Sequence, residues 1–73
     1  MNYVILTMKS MTYAMKGQRL LSRFNINSRI VYLNPAQTKR GCAYGLEVNR
    51  QNLDQAIDIL DKGKVKFSEV IKG

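Results

Sequence analysis

The residue best equipped for covalent chemistry in this 73-residue chain is its single cysteine, Cys42, set in the run Thr38-Lys39-Arg40-Gly41-Cys42-Ala43-Tyr44-Gly45-Leu46. The thiolate is the reactive form of cysteine, and nearby cations or a helix N-terminus favour it. Lys39 and Arg40 stand just before Cys42, and Gly41 and Gly45 permit close backbone approach or unusual dihedrals. The chain has no histidine and no second cysteine. Within one chain, neither a Cys-His or Ser-His couple nor a zinc site can therefore be assembled, and no internal disulfide can form. The 41–45 stretch also lacks the G-x-G-x-x-G spacing, the Walker lysine and the strand-to-helix context of a phosphate loop. No metal and no cofactor is expected. Two readings of Cys42 remain open on these residues: a thiol that accepts a group and hands it on, or an inert, buried small hydrophobe.

The elements that would position this thiol follow from periodicity. Residues 2–8 (NYVILTM) are rich in β-formers and apolar on both faces at their centre, as in an interior strand. Ser10 or Thr12 can cap a helix over 11–24, in which Tyr13, Ala14, Gly17, Leu20, Leu21 and Phe24 form a helical stripe with Lys16, Arg19 and Arg23 off it. Asn25 and Asn27 are natural stop residues. A second strand is expected over 29–34, closed by the turn-forming pair Asn34-Pro35, and a third over 43–48. Asn49 or Asn52 can cap a helix over 50–62, with Leu53, Ala56, Ile57 and Leu60 at helical spacing and Gly63 ending it. A fourth strand is expected over 65–71.

This β-α-β-β-α-β order predicts an α+β fold of the ferredoxin-like kind, a two-layer sandwich of two helices on an antiparallel four-stranded sheet ordered 4-1-3-2. All 73 residues are expected to form a single domain. The first strand-to-helix turn and the second-to-third strand loop then lie at one end of the sheet. Cys42 should sit near the start of the first helix, around Lys9, Ser10, Met11 and Thr12, where free N–H groups and the positive dipole end gather. Lys9 and Ser10 thereby join Lys39, Arg40, Gly41 and Gly45 as residues expected to support a thiolate. The expectation is an accessible thiol that ionises more readily than a free one. The sheet face away from the helices is left uncovered. With Tyr3, Ile5, Val31 and Tyr32 available to it, homodimerisation is the plain use of such a face.

Charge and composition narrow the partners. The net charge is +7, and residues 1–45 hold seven bases against no acid, whereas 46–73 balance five with five. Such a field attracts anions or simply keeps a small protein in solution. A nucleic-acid role has little beyond this charge behind it, because no aromatic pair lies in the consensus of an RNA-recognition strand. Met8, Met11 and Met15 read as packing residues. No run of about 18 apolar residues is present to span a membrane, and no signal peptide is recognised, so a cytoplasmic location is expected.

The Thr38 to Leu46 segment, set between an opening strand of the NYVILTM type and a closing helix-strand pair, resembles the selenium/sulfur (Se/S) carrier-like family of short bacterial domains. The resemblance covers nearly the whole chain and places the family's carrier thiol at Cys42. Many members have a glycine directly after the cysteine, whereas here Ala43 follows and glycines stand at 41 and 45. The resemblance implies a carrier holding sulfur or selenium as a persulfide or selenosulfide on Cys42, with donor and acceptor proteins as partners, rather than an enzyme acting alone. The alternatives are an interaction or regulatory module with an incidental cysteine and, third, a basic nucleic-acid-binding domain.

Overall fold

A computed structural model describes residues 2–34, 36, 38–39 and 41–72. The order is β1 (Tyr3–Met8), α1 (Met11–Arg23), β2 (Ser28–Tyr32), β3 (Tyr44–Asn49), a 3-10 turn (Arg50–Asn52), α2 (Leu53–Lys62) and β4 (Val70–Lys72). The strands form one antiparallel sheet ordered β2-β3-β1-β4, the expected ferredoxin-like arrangement read from its other edge.

Local chemistry sets the helix ends. Ser10 is the N-cap of α1: its hydroxyl accepts from the Tyr13 amide at 3.3 Å. At the other end Asn25 takes φ 61°, and the Asn25 and Ile26 amides donate to the carbonyls of Ser22 and Leu21. That is a Schellman motif, and it drives Ile26 into the core. The end of α2 repeats it, with Lys64 at φ 60°, its amide on Asp61 and the Val65 amide on Leu60. The left-handed residue is thus Lys64 and not Gly63, whose φ is −84°. Gly63 serves a different need, since a Cβ there would lie 2.2 Å from Leu20 Cδ2 on α1. Of the two candidate caps for α2, Asn49 accepts from the Gln51 amide at 2.9 Å and opens the 3-10 turn, while Asn52 makes no side-chain cap.

Val4, Leu6 and Met8 of β1 and Leu46 and Val48 of β3 project from one sheet face into a core shared with Ala14, Leu21, Ala56, Ile59 and Leu60 of the helices. Each such fully buried aliphatic side chain stabilises the fold by about 1.5–3 kcal/mol relative to exposure. α1 lies close on the sheet because position 17 is glycine: a Cβ there would meet Leu46 Cδ1 at 2.6 Å.

Alternation places Tyr3, Ile5, Val31 and Ile71 on the opposite face, where Ile5, Val31 and Ile71 are half-buried and Tyr3 is exposed. The cross-strand pair Arg29–Glu47, 3.0 Å, lies on the same face. Tyr32 does not. It pairs with Tyr44 on the helix side, ring centroids 5.7 Å apart, at the exposed margin of edge strand β2. The last strand is also shorter than expected: residues 65–69 are not a regular strand, because Val65 closes the α2 cap and packs into the core.

Candidate functional site

Cys42 lies two residues before β3, just beyond the Met8–Tyr44 and Tyr32–Tyr44 pairs that end the regular sheet. The Leu33 amide donates to the Ala43 carbonyl at 2.7 Å, so β2 and β3 stay together up to the loop between them. Asn34 opens that loop with an Asx turn, its Oδ1 accepting from the Ala36 amide at 3.0 Å. The Asn34-Pro35 turn is carried on the Asn34 side, and Pro35 itself lies outside the described residues.

The loop closes on itself through Thr38. Its Oγ1 accepts from the Cys42 amide at 2.7 Å and donates to the Cys42 carbonyl at 3.3 Å, so one buried hydroxyl satisfies both backbone groups of the cysteine. Gly41 makes the return possible at φ +69°; a Cβ at this position would have no neighbour within 4 Å, so the requirement is one of backbone conformation alone. A second clasp joins this loop to the chain's end. The Lys39 amide donates to Glu69 Oε1 at 2.9 Å. Glu69 is in turn held against β1 by Thr7, whose hydroxyl accepts from the Glu69 amide at 3.0 Å and donates to its carbonyl at 3.3 Å. Thr7, on the open face by alternation, is completely buried under this clasp.

The consequence corrects the expectation of an accessible thiol: Cys42 is buried, only 4% exposed. The polar, basic β2–β3 connection is exposed as its composition predicts at Asn34, Ala36, Lys39 and Gly41, but Thr38 and Cys42 are turned inward, with Thr38 and Glu69 as partners for the loop's backbone.

The expected supporting residues are dispersed. Ser10 is engaged as the α1 cap. Lys9 is exposed and lines a small cavity with Tyr13, Lys66, Phe67 and Ser68. The Lys39 side chain is exposed, and its backbone is what engages the loop. Arg40 lies outside the described residues. Gly45 is a packing glycine on the open face, where a Cβ would meet Ile5 Cγ2 at 2.5 Å. Among the described residues, no hydrogen bond or ion pair joins Cys42 to Lys9 or Lys39. Sequence reasoning missed Thr38, Thr7 and Glu69. Only Thr38 left a signal, a hydroxyl four residues before the cysteine of a Gly-Cys step.

Fold and site together define a ferredoxin-like α+β protein with one cysteine at the sheet-end mouth of its β2–β3 loop. The family model described as "Putative Se/S carrier protein-like" matches residues 3–72, and the chain belongs to that family. No curated protein and no solved structure matched it.

Proposed function

We propose that the protein is a sulfur or selenium carrier in which Cys42 holds the transferred atom and the Thr38–Cys42 loop is its gate. The family match over residues 3–72 supports this reading, and Cys42 is the chain's only thiol. The transfer needs no redox partner. The Cys42 thiolate attacks the outer sulfur of a donor persulfide R–S–SH, the new Cys42 S–S bond forms, the old S–S bond breaks, and R–S⁻ leaves. A selenium atom in the outer position follows the same course. An acceptor thiolate repeats the exchange and frees Cys42. Because no second cysteine is present, release depends on that external acceptor. The buried thiol must first be uncovered, and Gly41 and the two hydrogen bonds of Thr38 lie where opening would occur.

The test is to incubate the folded protein with inorganic polysulfide and read its intact mass. Gain of one sulfur atom, reversed by dithiothreitol and absent in Cys42→Ser, is expected. An unchanged mass with the protein still folded would sink the carrier reading.

One observation favours a second reading. The burial of Cys42 is what an incidental cysteine in an interaction module would show, and the open sheet face with Ile5, Val31 and Ile71 would then be the working surface of a homodimer. Sedimentation separates the two. Under this reading the wild type is dimeric and Val31→Lys is monomeric, while Cys42→Ser leaves the association intact.

A further inference from the structure

At the end of the molecule away from Cys42, where α1 turns into β2, lies an open cleft of about 470 Å³. Six of its seven lining residues are polar, and Ile26 together with the aliphatic stems of the long side chains supplies an apolar part of the wall. We propose that this cleft, formed by Gln18, Arg19, Ser22, Arg23, Asn27 and Ser28, binds the phosphate group of a small molecule.

Three observations carry the proposal. First, Arg19 and Arg23 stand four residues apart on α1, a spacing that makes like charges neighbours and destabilises an isolated helix. Neither forms an ion pair among the described residues, and α1 contains no acid. The acid nearest in sequence, Glu47, is taken by Arg29. Second, the bare carbonyls that a cation near a helix C-terminus would cover are largely capped already, so the dipole interaction of Arg23 in the last turn leaves its guanidinium N–H donors open. The Leu21 and Ser22 carbonyls accept from the Phe24, Asn25 and Ile26 amides. Third, Ser28 Oγ is buried with no hydrogen-bond partner, and its residue lines this cleft. A buried hydroxyl without a partner is uncommon, and a turn about its Cα–Cβ bond toward the cleft would bring it to a bound acceptor.

The chemistry of the lining selects the ligand class. Two guanidinium groups match the oxygens of a phosphate with paired N–H donors, and the Ser22, Ser28 and Asn27 side chains add neutral donors around the same space. The Gln18 side chain is fixed by donating from Nε2 to the Ser28 carbonyl at 3.2 Å, which ties α1 to the start of β2 and holds the cleft's two walls in register. The volume suits a small organic phosphate and falls within the range of small-molecule sites. A nucleic acid would instead engage the basic surface broadly, because its affinity is a sum over many phosphates.

The test is a titration at constant ionic strength with inorganic phosphate, then with glucose 6-phosphate, followed through backbone amide shifts. Saturable shifts at Gln18, Ser22, Asn27 and Ser28, with 38–42 unmoved, are expected with both probes. Arg19→Gln and Arg23→Gln should each weaken binding about tenfold, and Ser28→Ala about threefold. Lys62→Gln and Lys64→Gln, at the end of α2, should change nothing. Shifts that rise without saturating, or that survive both arginine substitutions, overturn the proposal. So does a single-stranded RNA oligonucleotide that outcompetes phosphate while shifting amides across the whole of residues 2–45.

Discussion

The two ends of the sheet treat their polar groups in opposite ways. At the Cys42 end, one threonine satisfies both backbone groups of the cysteine, a second threonine holds Glu69, and Glu69 holds the loop. At the α1–β2 end, two arginines and a buried serine hydroxyl have no partner among the described residues. Residue chemistry alone points the other way, to an open reactive loop and an ordinary helix end. The difference teaches that reactivity follows from what the chain leaves unsatisfied. Around Cys42 the backbone groups are paired and the thiol is covered, whereas in the far cleft Gln18 is engaged and the two guanidinium groups and the Ser28 hydroxyl are spare among the described residues.

Releasing the closed end should give the largest effect. Thr38→Val keeps the shape of the side chain and removes both hydrogen bonds to Cys42. At a net 0.5–1.5 kcal/mol each, their loss should raise the rate of Cys42 alkylation by iodoacetamide about 5- to 150-fold. Wild type should react more slowly than its own unfolded chain. Arg23→Gln at the far end should leave the rate unchanged, and a rise there would show that the ends are coupled.

Gly41→Ala should act next most strongly. At φ +69° an alanine costs about 1–2 kcal/mol in backbone conformation, with no steric clash to add to it. Alkylation should quicken about 5- to 30-fold, and global stability should fall by about the same 1–2 kcal/mol, because the strain lies in the closed loop and is relieved in both the open and the unfolded forms. Alkylation of the wild type that rises with urea as steeply as global unfolding does would mean that the loop opens only when the protein unfolds.

Glu69→Gln should sharpen the same comparison by a smaller step. Glutamine keeps an acceptor for the Lys39 amide at the 2.9 Å position but loses the charge, so the bond weakens by about half. A rise in alkylation of about two- to fivefold is expected. No change would place the gate in Thr38 alone.

What the sequence could show divides along the same line. The sheet order, α1 and the Asn25 stop follow from periodicity and turn chemistry acting within a few residues, and the structure has them. Lys64 is hidden from such reasoning because Gly63 beside it is the better left-handed residue, but Leu20 on α1 needs the space a Gly63 side chain would fill. The burial of Cys42 is hidden for a longer-range reason. It depends on Glu69 meeting Lys39 and Thr7, contacts 30 and 62 residues apart. Charge counting along Lys39-Arg40 sees only cations, and the carboxylate that accepts from the Lys39 amide arrives from the far end of the chain. At the α1–β2 end the relevant residues, Arg19, Arg23, Asn27 and Ser28, lie within about ten positions of one another. There helical periodicity assigns the arginines to the outer face of α1, which is where they are. What pattern cannot supply is the cavity between them and the strand that follows.

The smallest effect expected is on stability at the open end, and it tests the comparison most directly. Removing a buried hydroxyl that has a partner leaves that partner unsatisfied and destabilises a protein by about 1–3 kcal/mol. Ser28 Oγ has no partner, so Ser28→Ala removes a desolvated polar atom and strands nothing. Its backbone role is untouched, since the Ser28 carbonyl still accepts from Gln18 and the β2–β3 register still pairs position 28 with Val48. The urea midpoint of Ser28→Ala should therefore match wild type or rise slightly, within about 0.5 kcal/mol, in phosphate-free buffer. In buffer saturated with inorganic phosphate, wild type should gain stability by mass action and Ser28→Ala should gain less. A loss above about 1 kcal/mol without phosphate would mean that the hydroxyl is already bonded in the folded protein. The contrast between a satisfied end and an unsatisfied one would then be lost, and with it the third support for a phosphate site.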